Sequence, residues 1–448
     1  MQAMTPRGGF WGAAARRAAP FLLALACVAM ALWLAPQAQA KRGRPSPLLT
    51  GMNLTGIDDA TPLATIDEEL SVARSLHAKV VRVAMPWSQF EPNHAGQLDA
   101  HAVAAANRLM KDARAAHIEV IALVYQTPCW ASTAPAALLA ACRPGAEGHA
   151  SAWPPADPSQ LGSYVGWLAR RYGDDLAAIE IWNEPDQINQ DYLAGSEKPR
   201  HYAEMLKAAY PAIKHADPHV KVLAGSLVGS NGAFMEALYK EGIKGYYNGV
   251  AVHFYNLVLG SVRRFREVQL AHGDHTPLWL DEFGWSSCWP EHQIEQEQGC
   301  VTRRVQAQNI RTSFHELAQA HYVASLLTYG FKYVRDEQFG VFTAAGRRKP
   351  SFYALRTVLS DPFGKIPKVR LSLTRRGDQV VATGSAPVGD YMGLEAFIGG
   401  RLRYREIFTL GRFNTFSRRL PSVLGTSGIT VRVFQYWAGR GLGAVSRI

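Results

Sequence analysis

From residue 48 to about residue 359, short apolar runs of β type alternate with longer stretches whose apolar positions recur at helical spacing. The strand-like runs fall at 48–54, 80–85, 118–125, 178–182, 220–227, 249–255, 278–283 and 324–331. Amphipathic helical patterns lie between them, at 65–78, 101–116, 158–171, 200–216, 233–241 and 305–321. Alternation of this kind predicts parallel strands joined by right-handed crossovers. Eight such units predict a closed (β/α)8 barrel rather than an open doubly wound sheet, and no glycine-rich phosphate loop follows the first run. After Asp361-Pro362-Phe363-Gly364 the helical period disappears. Runs at 369–373, 379–383, 392–397, 402–408 and 429–437, separated by Gly, Asp and Pro turns, predict a small antiparallel β domain of sandwich type. The chain thus divides into residues 1–40, a barrel at 41–365 and a β-rich domain at 366–448. The many arginines of the last segment are expected on an exposed sheet face, with polymer binding as the functional alternative.

Composition adds compartment and charge. Arg7, Arg16 and Arg17 precede an apolar run from residue 18 to residue 35, followed by Pro36 and Ala38-Gln39-Ala40. That order is the pattern of a secretory signal cleaved after Ala40 and delivering the chain to the periplasm or the medium. The competing reading is a retained inner-membrane anchor through residues 18–35. Past residue 40 four cysteines remain, Cys129, Cys142, Cys288 and Cys300, in two local pairs. An even count in an exported chain predicts disulfides Cys129–Cys142 and Cys288–Cys300; no Cys-x-x-Cys spacing supports zinc. Without the three arginines of the export segment, 45 basic residues face 37 acidic ones, a net charge of +8. Such an excess suits an anionic polysaccharide or membrane surface, or simply a soluble face. No basic run is interleaved with aromatics as nucleic-acid binding would require, and the chain is read as a monomer without nucleic-acid partners.

Two of the strand-like runs end alike. Ile179-Glu180-Ile181-Trp182 leads into Asn183-Glu184-Pro185-Asp186, and Pro277-Leu278-Trp279-Leu280 leads into Asp281-Glu282-Phe283-Gly284. In a barrel, chemistry sits at the carboxyl ends of the strands, so Glu184 and Glu282 are expected to face one pocket from the fourth and seventh strands. Paired carboxyls are what cleavage of a glycosidic bond needs, one to protonate the leaving oxygen and one to support the anomeric carbon. Glu184 suits the acid, desolvated near Trp182; Glu282 suits the nucleophile, with Arg82 and Tyr255 as donors. Asn183 is a candidate donor to a sugar hydroxyl. Alternation along the strand implies that only one of Asp281 and Glu282 faces the pocket. A lone strand-end histidine is more often a packing residue, but His253 shares a face with Tyr255. Among Trp87, Trp130, Trp153, Trp285 and Trp289, Trp130 and Trp285 are the expected sugar platforms.

These residues resemble a known group. Trp182-Asn183-Glu184-Pro185 and Asp281-Glu282-Phe283-Gly284 look like the fourth- and seventh-strand signatures of the clan A retaining (β/α)8 glycoside hydrolases. Within the clan the chain is most similar to family 39 and its family 5-like neighbours, including bacterial hydrolases of exopolysaccharide and biofilm matrix. Val81-Arg82-Val83 with Trp87 and Glu91-Pro92, the pair His253 and Tyr255, and Phe339-Gly340-Val341-Phe342 leading to Arg348-Lys349-Pro350-Ser351-Phe352-Tyr353-Ala354-Leu355 agree with it. The resemblance covers roughly residues 50–360. It implies Glu184 as acid/base, Glu282 as nucleophile, Asn183 at the 2-hydroxyl, and Arg82, His253 and Tyr255 around the nucleophile, with no metal or cofactor. Where many members place a tryptophan under the sugar, this chain offers Tyr329 or Phe331. The expectation is an exported retaining hydrolase acting within a bacterial exopolysaccharide. An exo-acting glycosidase such as a xylosidase, and a non-catalytic polysaccharide-binding or assembly protein, are its rivals.

Overall fold

The computed structural model describes residues 47–448 except 58–61, 230, 256–257, 289–299, 331–337, 389–390, 412 and 437–442. The export segment, Trp289, Phe331 and Trp437 therefore lie outside the described residues. Eight parallel strands close into a barrel in sequence order: β1 (Leu49–Asn53), β2 (Val80–Ala84), β3 (Glu119–Val124), β4 (Leu176–Ile181), β5 (Lys221–Leu227), β6 (Gly249–His253), β7 (Leu278–Phe283) and β8 (Val323–Thr328). Their residues are buried on both faces, which is why they read as near-continuous apolar runs. Gly51 is required where β1 meets β2, because a Cβ there would lie 1.7 Å from the Val80 carbonyl oxygen.

Helices stop and start where side chains cap them. Asp99 accepts the Ala102 N–H at the head of helix Ala100–Ala116, and His117 ends it in a left-handed conformation. Helix Pro158–Tyr172 opens on a proline behind the Asp157 cap. Its Gly162 and Gly166 let helix Lys198–Ala216 approach closely, since a Cβ on Gly162 would lie 3.0 Å from the Ala208 oxygen.

Inside the barrel the two-residue period sorts side chains into layers. Val80, Ile121, Ala178, Leu223, Ala251, Trp279 and Leu327, one from each of β2 to β8, form an apolar floor separate from the helix-facing core. Two positions further along their strands come Arg82, Glu180, His253 and Asp281, all buried. A polar, charged layer therefore rests on a greasy plug, and the pocket opens above it.

Residues after 366 form a second apolar core between two antiparallel sheets. One has the order β13-β10-β9, from Thr415–Arg419, Gln379–Ser385 and Arg370–Arg376. The other runs β12-β11-β14-β15, from Arg401–Thr409, Tyr391–Ile398, Ile429–Gln435 and Gly443–Arg447. Val380, Ala382, Leu394, Ala396, Val431 and Val433 fill the space between them. Gln308 and Asn309 of helix Arg303–Leu317 bond to Pro387 and Asn414, fastening this domain to the barrel. Cys129 is bonded to Cys142 and Cys288 to Cys300. No helix among the described residues is long and apolar enough to cross a membrane.

Candidate active site

At the carboxyl ends of β4, β6, β7 and β8 lies a cavity of about 300 Å³ lined by Asn183, Glu184, Gln187, Tyr192, Tyr255, Glu282, Tyr329 and Phe339. Glu184 reaches it because the chain turns sharply after β4: Trp182 and Glu184 both hold positive φ, at 73° and 42°. Trp182 is anchored in the core by its indole N–H to the Tyr192 carbonyl at 2.8 Å. Asp186, the last residue of the same motif, accepts the Val228 and Gly229 N–H groups and ties this turn to the loop after β5.

Glu282 arrives by a different device. Asp281 belongs to the interior series of Trp279, so strict alternation turns Glu282 outward. The register of β7 slips by one residue against both neighbours, between Val252/His253 of β6 and between Leu280 and Phe283 toward β8. The extra residue lets consecutive side chains face the same way. Of the two, only Glu282 lines the cavity, as expected, but Asp281 does not turn outward as strict alternation from Glu282 would have it: it is buried beside Arg82 and His253.

Arg82 organises the layer. Its Nη1 is 2.6 Å from Glu282 Oε1 and donates to Asn53 Oδ1 at 3.0 Å. Its Nε and Nη2 grip both oxygens of Glu180, at 2.7 and 3.0 Å, and Nη2 also donates to Asn183 Oδ1 at 2.9 Å. With its oxygen occupied by a guanidinium, the Asn183 amide is left with its N–H groups for an acceptor in the cavity. Tyr255 donates to Glu282 Oε2 at 2.7 Å; burial, followed by the Glu282 charge, raises its phenol well above the usual range and keeps the donor proton in place. Glu282 is thus held by two donors.

His253 sits between the two glutamates. Its Nδ1 is 2.7 Å from Glu184 Oε1 and 3.4 Å from Glu282 Oε2, while Nε2 is 3.4 Å from Asp281 Oδ1. The histidine expected beside Glu282 lies there and is hydrogen-bonded to Glu184 as well. Burial acts to lower its pKa, but Glu282, Asp281 and Glu184 outweigh it and raise the imidazole to about 10. Glu180 is pushed up to about 7 by burial, opposed by Arg82 and reinforced by Asp281. Glu184, His253 and Glu282 each bring one polar atom within 4.8 Å of the other two, as do Glu180, His253 and Asp281. Either trio has the donor count for a cation. A protonated imidazole offers no lone pair, however, and the Arg82 guanidinium already supplies the positive charge.

Tyr329 stands on the cavity wall in edge contact with Tyr255 and Phe339, with ring centroids 5.9 Å apart in both cases. The two tryptophan platforms are not found there. Trp285 is buried at 2% exposure against Phe283. Trp130 packs edge-on to Trp87, and its N–H is spent on the Glu91 carbonyl at 2.7 Å. The aromatic walls are Tyr192, Tyr255, Tyr329 and Phe339 instead. Gln187, which donates to Glu184, and Tyr192 lie in the irregular turn after β4, where no period marks them. Phe339 stands within a segment singled out from the sequence, without a role having been read for it.

Neither protein-family models nor curated proteins match the sequence. Solved structures do resemble the fold. A family 39 glycoside hydrolase from the gut symbiont Bacteroides cellulosilyticus WH2 is 15% identical, with TM-score 0.52 over 82% of this chain and 79% of its own. A GH30 endoxylanase from Clostridium papyrosolvens C71 is 14% identical, with TM-score 0.51 over 85% and 95%. A GH39 enzyme from Xanthomonas axonopodis pv. citri is also 14% identical, with TM-score 0.51 over 89% and 94%. At these identities the likeness establishes a shared architecture.

Proposed function

We propose that this chain is an exported glycoside hydrolase that cleaves with retention of anomeric configuration. One observation carries the reading: carboxylate oxygens of Glu184 and Glu282, brought together from two strands, lie within 4.8 Å of each other. Retaining enzymes hold their carboxyls about 5–5.5 Å apart, whereas inverting ones leave about 6.5–9.5 Å for a water molecule. In the proposed reaction Glu282, held in place by Arg82 and Tyr255, attacks the anomeric carbon. Glu184 protonates the departing oxygen, and the glycosyl–Glu282 ester forms as the glycosidic bond breaks. Glu184, now ionised, takes a proton from water. That water's oxygen bonds to the anomeric carbon, and Glu282 leaves. His253, within hydrogen-bond reach of Glu184, steadies the carboxylate after it has given up its proton. The barrel fold shared with family 39 and family 30 glycoside hydrolases supports the same class.

The substrate proposed is a bacterial exopolysaccharide attacked within the chain, in the periplasm or outside the cell after cleavage at Ala40. The second reading, removal of terminal sugars, draws on the modest cavity of about 300 Å³, at the small end of ligand pockets. Sizing the products released from a long polymer separates the two: a ladder of oligosaccharides supports internal cleavage, monosaccharide alone supports terminal removal. Glu184→Gln and Glu282→Gln should each lower kcat by on the order of a thousandfold or more. The first product seen by proton NMR should keep the anomeric configuration of the substrate. Inversion would overturn the double displacement, and no hydrolysis by the unaltered chain, with matrix degradation or synthesis unchanged in both variants, would leave a polysaccharide-binding protein.

A further inference from the structure

The charge of this chain is segregated. Residues 366–448 contain 13 Lys and Arg against 4 Asp and Glu, a net +9, while residues 41–365 contain 32 against 33, a net −1. The small β domain therefore carries the whole positive excess of the chain past residue 40.

Part of that excess is organised on one sheet face. Leu394, Ala396, Val431 and Val433 point into the sandwich core, so the alternate residues Glu395, Phe397 and Arg432 point out. Glu395 is the register mate of both Arg405 and Arg432 and is paired with them at 2.8 and 3.6 Å. The Arg432 guanidinium also lies 5.4 Å from the Phe397 ring centroid. A groove of about 660 Å³ opens at this end of the sheet, lined by Phe397, Thr430, Arg432 and the exposed Arg447. Its edges are the Gly399-Gly400 and Gly428 turns, where an added Cβ would meet nothing within 4 Å. The rim is thus bare backbone and the walls are cations beside an aromatic face. Guanidinium groups match carboxylates in a two-pronged fashion, and a flat ring accepts the C–H face of a sugar.

The cavity in the barrel has the opposite character. Among the described residues no lysine or arginine lines it, and two carboxyls do.

We propose that the groove on the β domain binds an anionic polysaccharide, with Arg432 and Arg447 taking sugar carboxylates and Phe397 lying under a ring. Resting on the glycosidase reading, this makes the substrate an acidic polymer. The test uses the full chain and affinity electrophoresis through gels containing polygalacturonate, with neutral pullulan as control. The protein should be retarded by polygalacturonate alone, and less so in molar salt. Phe397→Ala combined with Arg447→Ser should weaken retardation on the order of tenfold, with the melting temperature and hydrolysis of small aryl glycosides unchanged. Arg447→Glu alone should do the same, whereas Lys111→Ser, an exposed cation on the barrel, should not. Glu184→Gln should bind normally, so failure of the hydrolase reading leaves the binding result standing. No retardation, or retardation indifferent to the groove variants, overturns the proposal. So does equal, groove-dependent binding to phosphatidylglycerol vesicles or a DNA oligonucleotide, which would make the face a general polyanion surface.

Discussion

Arg82 is where removal of one side chain does most. It neutralises Glu180 and Glu282 at hydrogen-bond distance and stands 3.7 Å from Asp281. Arg82→Ala would strand buried carboxylates, a loss of about 3–5 kcal/mol, visible as a lower urea midpoint. Arg82→Lys keeps a charge but not the fork that spans both glutamates. It should fold and lose on the order of a hundredfold in kcat/KM. Proton linkage gives a second prediction. Glu180 and His253 both have folded pKa values above their ordinary values of 4.5 and 6.5, at about 7 and about 10. For each, the folded state holds more protons, so its stabilising contribution is complete below the lower value and is lost as pH rises through the upper one. Melting temperature should therefore decline from mildly acidic to alkaline pH, and His253→Asn should flatten the limb above about pH 6.5. Asp281→Asn removes a carboxylate that holds the imidazole protonated. The alkaline limb of any activity profile controlled by His253 should move down by about one unit. From the sequence, strand ends and alternation already point to Glu184, Glu282, Arg82, His253 and Tyr255. In the sequence Asp281 stands only as a rival to Glu282, because nothing in the letters marks the extra residue in β7.

At the scale of elements, packing decides outcomes that propensity alone would reverse. Replacing a helical glycine by alanine ordinarily stabilises by about 1 kcal/mol. At Gly162 the new methyl would press on the backbone oxygen of Ala208 in the neighbouring helix, which has no rotamer with which to yield. Gly162→Ala should therefore destabilise by on the order of 1–2 kcal/mol in urea titration. Asp99→Ala, which removes only a cap, should lose about 1 kcal/mol and leave activity untouched. All eight barrel strands were legible to within three residues at either end, since burial on both faces leaves few polar interruptions. In the β domain, Thr415–Arg419 and Gly443–Arg447 escaped notice. Both are five-residue edge strands, one ending in two arginines and the other opening on glycine, so neither carries the alternation that marks a half-buried strand.

For the whole molecule, the Cys129–Cys142 bond closes a short loop, with Cα atoms 5.8 Å apart. Cys129→Ser with Cys142→Ser should lower stability by about 2–3 kcal/mol, measured by calorimetry against the oxidised protein. Trp130 fixes the same loop to Glu91, so a moderate rise in KM should accompany the change. The sequence marks a switch of period after Gly364; the partition of charge on either side of residue 365 appears only on counting. The layer around Arg82 has a further consequence, for the order of assembly. Its groups come from β1, β2, β4, β5, β6 and β7, residues 53 to 282. A chain that has paired only its first four strands can give this guanidinium Glu180 but neither Asp281 nor Glu282. A barrel closed one residue out of register would turn some of these charges toward its helices. Refolding should accordingly restore helical circular dichroism before catalysis, because the last strands to dock bring the counter-charges that certify correct closure.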